Sequence, residues 1–283
     1  MSEIRSEIRS EIPYIEMNDG HRIPQLGLGV WQDDDAQAAA SVRCALQAGY
    51  RLIDTASAYG NEAGVGQGVR ESGLARGDVF VTTKIWNDAQ GYQAAQDALH
   101  ASLERLKLDY VDLLLIHWPI PKLDKYVETW RALIHLREQG LARSIGVSNF
   151  RGDELQRLFA ETHQLPAVNQ IELHPWLQQG ELRTANAALG VRTQAWSPLG
   201  QGKALTDPVV ARLAAKYGRA PAQIILRWHV QQGVLVIPKS SNPDRIRGNA
   251  QVFGFALDDA DMGALAELDR GERVGPHPDT FGL

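Results

Sequence analysis

The chain has a single cysteine, Cys44, in 283 residues. An internal disulfide is therefore impossible, and no cysteine-based metal motif can be assembled. Long apolar runs are also missing. The longest, VDLLLI at 111–116, falls far short of the ~20 residues that span a bilayer. The amino terminus lacks the apolar core of a secretory signal. There is no basic excess: 34 acidic side chains against 29 basic ones give a net charge of −5. A general nucleic-acid binder carries a basic footprint that this chain does not have overall. The eight histidines are scattered, without HxH or HExxH spacing, so they do not suggest a histidine metal centre. These absences predict a soluble, cytoplasmic protein that binds no metal, nucleic acid or membrane.

Core-forming material is plentiful. Hydrophobic residues make up 44% of the chain and charged residues 22%, a balance that excludes disorder. By surface scaling, a chain of this size buries about 73% of its surface on folding. The first residues repeat Ser-Glu-Ile-Arg, too briefly for a solenoid; residues 1–13 are expected to form a flexible extension. Asn18-Asp19-Gly20 then separates two alternating runs, the signature of a β-hairpin.

Beyond the hairpin, short apolar runs alternate with longer amphipathic stretches. Eight strand candidates follow: 26–30, 51–54, 79–84, 111–117, 144–148, 167–171, 191–196 and 234–239. Helical patterns lie between them, among them 36–49, 92–107 and 126–140, with Gly49 and Gly140 placed as C-terminal caps. Strict β/α alternation implies a parallel sheet. Eight units fit a closed (β/α)₈ TIM barrel, with an N-terminal β-hairpin cap and an extra C-terminal helix at 257–269. No long linker interrupts the pattern, so residues 14–283 are expected to form one domain.

Such barrels carry their chemistry at the C-terminal ends of the strands. Here these ends are polar or aromatic. RLI runs into Asp54, with Tyr59 five residues on; VFVTT runs into Lys84 and LLLI into His117. Alone, each has an ordinary use as a turn residue, a packed ring, a surface charge or a core histidine. Together they suit reduction of a carbonyl. A phenol near pKa 10 is a weak acid at neutral pH, and a neighbouring ammonium eases release of its proton. A carboxylate can steady the lysine, and an imidazole can orient the carbonyl oxygen. The hydride must come from a cofactor.

Competing readings fail on detail. GVGQG at 64–68 is not GxGxxG and has no strand immediately before it; it reads as a helix packed closely on a strand. GVSNF lacks the second glycine of a nucleophile elbow.

Three stretches carry a family resemblance. GYRLIDTASAYGNEAGVG (49–66), SIGVSNF (144–150) and IPKSSNPDRIRGNAQV (237–252) resemble, in order, three hallmark motifs of the aldo-keto reductases. HWPIPKLDKYVETW, VNQIELHP, SPLGQGK and GPHPDTF are similar to bacterial 2,5-diketo-D-gluconate reductases within that family. The resemblance implies NADPH-dependent reduction of aldehydes and ketones to alcohols, with methylglyoxal, keto esters or diketogluconate as candidate substrates. Tyr59 would be the proton donor, Lys84 and Asp54 would tune it, and His117 would orient the substrate. Ser148, Asn149 and Gln170 would hold the nicotinamide carboxamide, and Trp196 would stack on its ring. Ser197, Leu199 and Gly200 would contact the pyrophosphate.

Lys239, Ser240 and Arg245 would bind the 2′-phosphate of NADP, and Asn249 the adenine. A lysine, an arginine and a hydroxyl make a good phosphate clamp, although the same residues could be a basic surface patch. Gly248 stands where many relatives carry Glu or a longer polar side chain, which implies no side-chain latch over the cofactor there. Trp31, Trp86 and Trp118 would line the substrate pocket, or else pack the barrel rim. With 15 residues after Leu268, a short rim and an open pocket are expected. A small carbonyl compound is the expected partner and a monomer the expected state. The alternative is a cofactor-binding regulatory subunit with little turnover; an isomerase or aldolase would have no use for the NADP clamp.

Overall fold

In the computed structural model, which describes residues 11–282, each of the eight apolar runs forms a strand. β1 (Tyr14–Glu16) and β2 (Arg22–Pro24) make an antiparallel hairpin. β3 (Gly27–Gly29), β4 (Leu52–Asp54), β5 (Phe80–Ile85), β6 (Val111–Ile116), β7 (Ala142–Ser148), β8 (Val168–Glu172), β9 (Arg192–Trp196) and β10 (Leu235–Val236) form one parallel sheet in chain order. The sheet closes between its outer strands through parallel bridges Leu26–Val236 and Gly29–Lys239, giving the expected (β/α)₈ barrel. β10 is shorter than expected. Pro238 has no N–H to donate, and its carbonyl instead accepts from the Gly29 amide at 3.2 Å.

The helices are α1 (Asp35–Gln47), α2 (Glu62–Glu71), α3 (Tyr92–Leu106), α4 (Tyr126–Glu138), α5 (Gly152–Thr162), α6 (Gly180–Ala188), α7 (Pro208–Tyr217), α8 (Pro221–Gln231), α9 (Pro243–Asn249) and α10 (Asp259–Ala266). Gly49 and Gly140 take φ of +101° and +78° just beyond α1 and α4, a region where a Cβ is penalised. None of the helices among the described residues is long and apolar enough to cross a membrane.

Strand alternation divides the core into layers. Leu52, Leu113, Leu115, Val168 and Leu235 fill the barrel lumen together with Met17 and Ile23 of the hairpin, which plugs the lower end. Ile53, Leu114, Ile116 and Ile145 face outward onto the helices. A third cluster unites α7, α8 and α10. Of the extension expected over residues 1–13, residues 1–10 and their repeat lie outside the described residues. Ile12 is buried in the outer core, and the Pro13 carbonyl accepts from the Gln25 amide at 2.8 Å. The packed chain therefore begins before residue 14.

The glycine-rich stretch 64–68 lies in α2 as expected, but its close neighbours are helices and not a strand. A Cβ on Gly64 would sit 2.1 Å from the Asp35 carbonyl oxygen, and one on Gly66 would sit 1.9 Å from that of Leu106. These glycines let α2 wedge between the start of α1 and the end of α3. Gly66→Ala should therefore destabilise the fold by roughly 2–3 kcal/mol through overpacking. Gly77→Ala, where a Cβ meets nothing within 4 Å, should change stability by no more than about 0.5 kcal/mol. Urea denaturation of the two variants measures the contrast.

Candidate active site

Residues that alternate along a strand share a face, and the lumen-facing positions change character as the strands rise. They begin as Leu52, Phe80, Leu113, Val168 and Leu235 and continue two to four residues later as Asp54, Lys84, His117, Gln170 and Lys239. The register brings these ends together: Asp54 pairs with Thr82, Lys84 with Leu115, Ser148 with Gln170, and Glu172 with Trp196. The upper end of the lumen is thus polar over an apolar floor.

At its centre, Lys84 is fully buried. Its Nζ donates to Asp54 Oδ1 at 2.5 Å, to the Thr55 carbonyl at 2.9 Å and to Tyr59 Oη at 3.4 Å. The other Asp54 oxygen accepts from Gln170 Nε2 at 2.7 Å, and that nitrogen also donates to Gln194 Oε1 at 2.8 Å. Tyr59 stands in a 3₁₀ turn over Ser57–Tyr59 whose Ser57 hydroxyl donates to the Lys84 carbonyl at 3.0 Å. His117 meets the Tyr59 ring edge-on at 5.7 Å and the Trp86 ring at 4.9 Å.

The electrostatics correct one expectation. Burial raises the Tyr59 pKa and Lys84 lowers it, and the net result lies above the ordinary value. The ammonium offsets part of the desolvation of the phenolate without overcoming it. Lys84 itself is pushed down by burial but held above its usual pKa by Asp54 and Tyr59, so it remains charged. Burial raises Asp54, against the pull of Lys84 and Gln170. Burial, aided by Lys84, depresses His117 well below the usual imidazole range; its ring is neutral.

A second group surrounds Asn149, which takes a left-handed φ of +65°. Its amide nitrogen donates to the His117 carbonyl at 2.9 Å and to Ser148 Oγ at 3.0 Å, and its oxygen accepts from Trp196 Nε1 at 2.8 Å. Ser148 Oγ donates to the Gln170 carbonyl at 2.7 Å. Ser148, Asn149, Gln170 and Trp196 are therefore contiguous with Asp54 and Lys84. Ser197 and Gly200 both take left-handed φ, +47° and +58°, which turns the chain sharply around Leu199. Pro198 between them is held from behind by His229, whose Nε2 donates to its carbonyl at 3.1 Å.

On the β10–α9 segment, Ser240 is buried, Lys239 and Arg245 are exposed, and Asn249 is buried at the end of α9. Among the described residues Arg245 has no acidic partner. Gly248 faces open space, and its carbonyl accepts from Gln223 at 2.9 Å.

Trp86 packs on His117 and Trp118 follows it in the chain, while Trp31, just beyond the end of β3, is 45% exposed. The open rim expected from the short C-terminus is not what forms. At about 3.3 Å per residue, the tail is long enough to cross the barrel mouth. Buried Glu172 accepts from the Val274 amide at 2.5 Å and the Gly275 amide at 3.3 Å. Gly275 lies so close to Trp196 that a Cβ would come within 2.4 Å of its Cη2. Phe281 then packs on Trp118 at 4.4 Å and on Trp86 at 6.0 Å. The sequence reading missed Phe281, Glu172 and Gln194. For Glu172 and Gln194 a signal existed, since both share the strand face of a residue already singled out.

The sequence model of the aldo/keto reductase family matches residues 25–270. The chain belongs to this family. Among its relatives is an aldo-keto reductase of Mycolicibacterium smegmatis, 54% identical over 269 residues that cover 95% of this chain and 98% of the relative. Methylglyoxal reductase DkgA of Escherichia coli K12 is 50% identical over 270 residues, with 95% and 98% covered. A variant of Gox0644 crystallised in complex with NADPH superposes with a TM-score of 0.93 at 45% identity, covering 97% of this chain and 100% of that one.

Two buried histidines give this aldo/keto reductase barrel a pH signature. Burial pushes His229 down to about 3, and His117 is depressed for the same reason. Both are free to titrate near 6.5 once the chain unfolds. The unfolded state then binds more protons below that pH, so these groups make stability fall as pH drops; for His229 the window runs from about 6.5 to about 3. His229→Gln should flatten the dependence of unfolding free energy on pH between pH 6 and 5 by about 1 kcal/mol per unit, as read from urea titrations at each pH.

Proposed function

We propose that the chain reduces aldehydes and ketones to alcohols with NADPH, and that Tyr59 donates the proton. The family makes it an NADP(H)-dependent oxidoreductase. The observation that carries the mechanism is the convergence of a buried ammonium and a neutral imidazole on one phenol. The residues present suit the dinucleotide. Ser148 and Asn149 offer amide and hydroxyl groups beside Trp196, while Lys239, Ser240 and Arg245 offer two cations and a hydroxyl for a 2′-phosphate. When bound, the cofactor supplies the hydride that no side chain can.

The chain's own groups handle the oxygen. Neutral His117 can donate an N–H to the carbonyl oxygen and orient it without adding a second positive charge beside Lys84. Tyr59 keeps its proton at neutral pH and releases it to the far more basic oxygen that develops as the carbonyl is reduced. Lys84 stabilises the phenolate left behind, and Asp54 keeps the ammonium in place. Trp86, Trp118 and Phe281 form an aromatic wall that favours small substrates with an apolar or sugar-like face. Resemblance to methylglyoxal reductase DkgA supports short 2-oxoaldehydes among these, and the sequence resemblance extends the range to keto esters and 2,5-diketogluconate. In this reading the barrel acts as one domain, as a cytoplasmic monomer.

The test is NADPH oxidation followed by absorbance over a panel of methylglyoxal, 2,5-diketogluconate, a keto ester and an aromatic aldehyde. At least one compound should turn over, and Tyr59→Phe should cut its kcat by about 10²-fold or more with NADPH still binding. Tight NADPH binding with no turnover across the panel would point instead to a regulatory subunit. In calorimetric titrations, Arg245→Ala should weaken NADPH by roughly 10–100-fold, as expected for loss of a charged hydrogen bond, and leave NADH unchanged. Equal effects on both dinucleotides would remove Arg245 from the 2′-phosphate.

A further inference from the structure

Three consecutive acids, Asp33, Asp34 and Asp35, open α1. Asp34 caps the helix, accepting from the Gln37 amide at 2.8 Å. Asp35 accepts from the Gly64 amide at 2.6 Å and ties α2 to α1. Asp33 does something else. Its Oδ1 lies 2.8 Å from Lys239 Nζ, across the seam where β3 and β10 close the barrel.

The two partners differ in freedom. The Asp33 side chain is 2% exposed and that of Lys239 35%. Asp33 is also fixed from behind. Its second carboxylate oxygen accepts from Ser41 Oγ at 3.3 Å, and its backbone carbonyl accepts from buried Asn61 Nδ2 at 2.9 Å. Asn61 in turn grips the Val30 carbonyl at 2.8 Å and accepts from Thr55 Oγ1 at 2.8 Å. The carboxylate therefore cannot swing aside when another anion approaches the lysine.

We propose that Asp33 is a specificity-determining residue: its fixed carboxylate weakens the hold of Lys239 on a 2′-phosphate and so limits the preference for NADPH over NADH. This rests on the reading of Lys239 as part of the phosphate clamp. A phosphate must approach Lys239 from its exposed side, because Asp33 occupies the buried one. One ammonium is then shared between a carboxylate and a phosphate monoester of nearly two charges, and the two anions repel across it. NADH lacks that phosphate, so the penalty falls on NADPH alone.

Asp33→Asn keeps the shape and the hydrogen-bonding oxygen and removes the charge. Calorimetric titration of NADPH and NADH into wild type, Asp33→Asn, Lys239→Ala and the double variant provides the test. Asp33→Asn should tighten NADPH by about three- to tenfold, the scale of one partly screened charge contact, with NADH unchanged. In the double variant that gain should shrink, because the competition for a shared ammonium is gone and only the repulsion between carboxylate and phosphate remains. An unchanged or weaker NADPH affinity in Asp33→Asn would overturn the proposal, as would equal tightening of both dinucleotides. If Lys239→Ala leaves NADPH affinity unchanged, the clamp itself fails and the role of Asp33 falls with it. Weaker NADPH in Lys239→Ala beside an unmoved Asp33→Asn would keep the clamp and reject Asp33 alone.

Discussion

The buried ion pair between Lys84 and Asp54 is the constraint around which the rest of the barrel is arranged. Taking two charges out of water costs several kcal/mol each, a cost offset only where the pair is close and its remaining hydrogen-bonding capacity is met. Here it is met. The three ammonium protons go to Asp54, Thr55 and Tyr59, and the second carboxylate oxygen receives Gln170, which is itself engaged by Gln194. A single polar network thus spans β4, β5, β8 and β9. Hydrophobic residues of similar volume in its place would often be as stable or more so. The network contributes a charged lysine where water is scarce, its ammonium directed at the Tyr59 phenol.

That environment depends on strand geometry. A period of two places Leu52 and Asp54, Leu115 and His117, Val168 and Gln170 on common faces, so each strand supplies both floor and reactive group. The apolar floor, closed below by Met17 and Ile23 of the hairpin, keeps the effective dielectric low under the network. Low dielectric explains why burial outweighs Lys84 at Tyr59 and why His117 is neutral. The same burial thus keeps the Tyr59 phenol protonated and the His117 imidazole uncharged.

What could be read from the sequence follows the range of the interactions. Eight strands, their order and the polar ends Asp54, Lys84 and His117 were legible because alternation and spacing are local. The hairpin was legible because Asn-Asp-Gly encodes its own turn. The direction of the Tyr59 shift was not, since it depends on how much protein covers the ring. The neighbours of Gly64 and Gly66 were missed because close approach of two helices looks, in sequence, like close approach of a helix to a strand. Phe281 stood out only as the last residue of GPHPDTF, with nothing local to say what it would touch. It reaches Trp118 and Trp86 after a separation of more than 160 residues, through a tail whose course is set by the buried Glu172 carboxylate and the backbone amides of Val274 and Gly275.

The cofactor side poses the opposite problem to the catalytic centre. A chain of net charge −5 must attract a dinucleotide carrying several negative charges and then release it each turnover. Attraction is local: Lys239, Arg245 and Arg247 are the exposed cations of the β10–α9 segment, and solvent screening confines their reach to about 10 Å. Release sets the other limit, because a clamp that binds the 2′-phosphate too tightly makes dissociation of the spent cofactor the slow step. Gly248 has open space where a longer side chain would lie, so under the proposed binding mode it would offer no latch. Under the proposed clamp, the carboxylate fixed behind Lys239 would weaken another means of retention. Both features would lower the hold on the cofactor without touching Tyr59, Lys84 or His117, so under the proposed function binding strength and proton transfer would be set on separate elements of the same barrel.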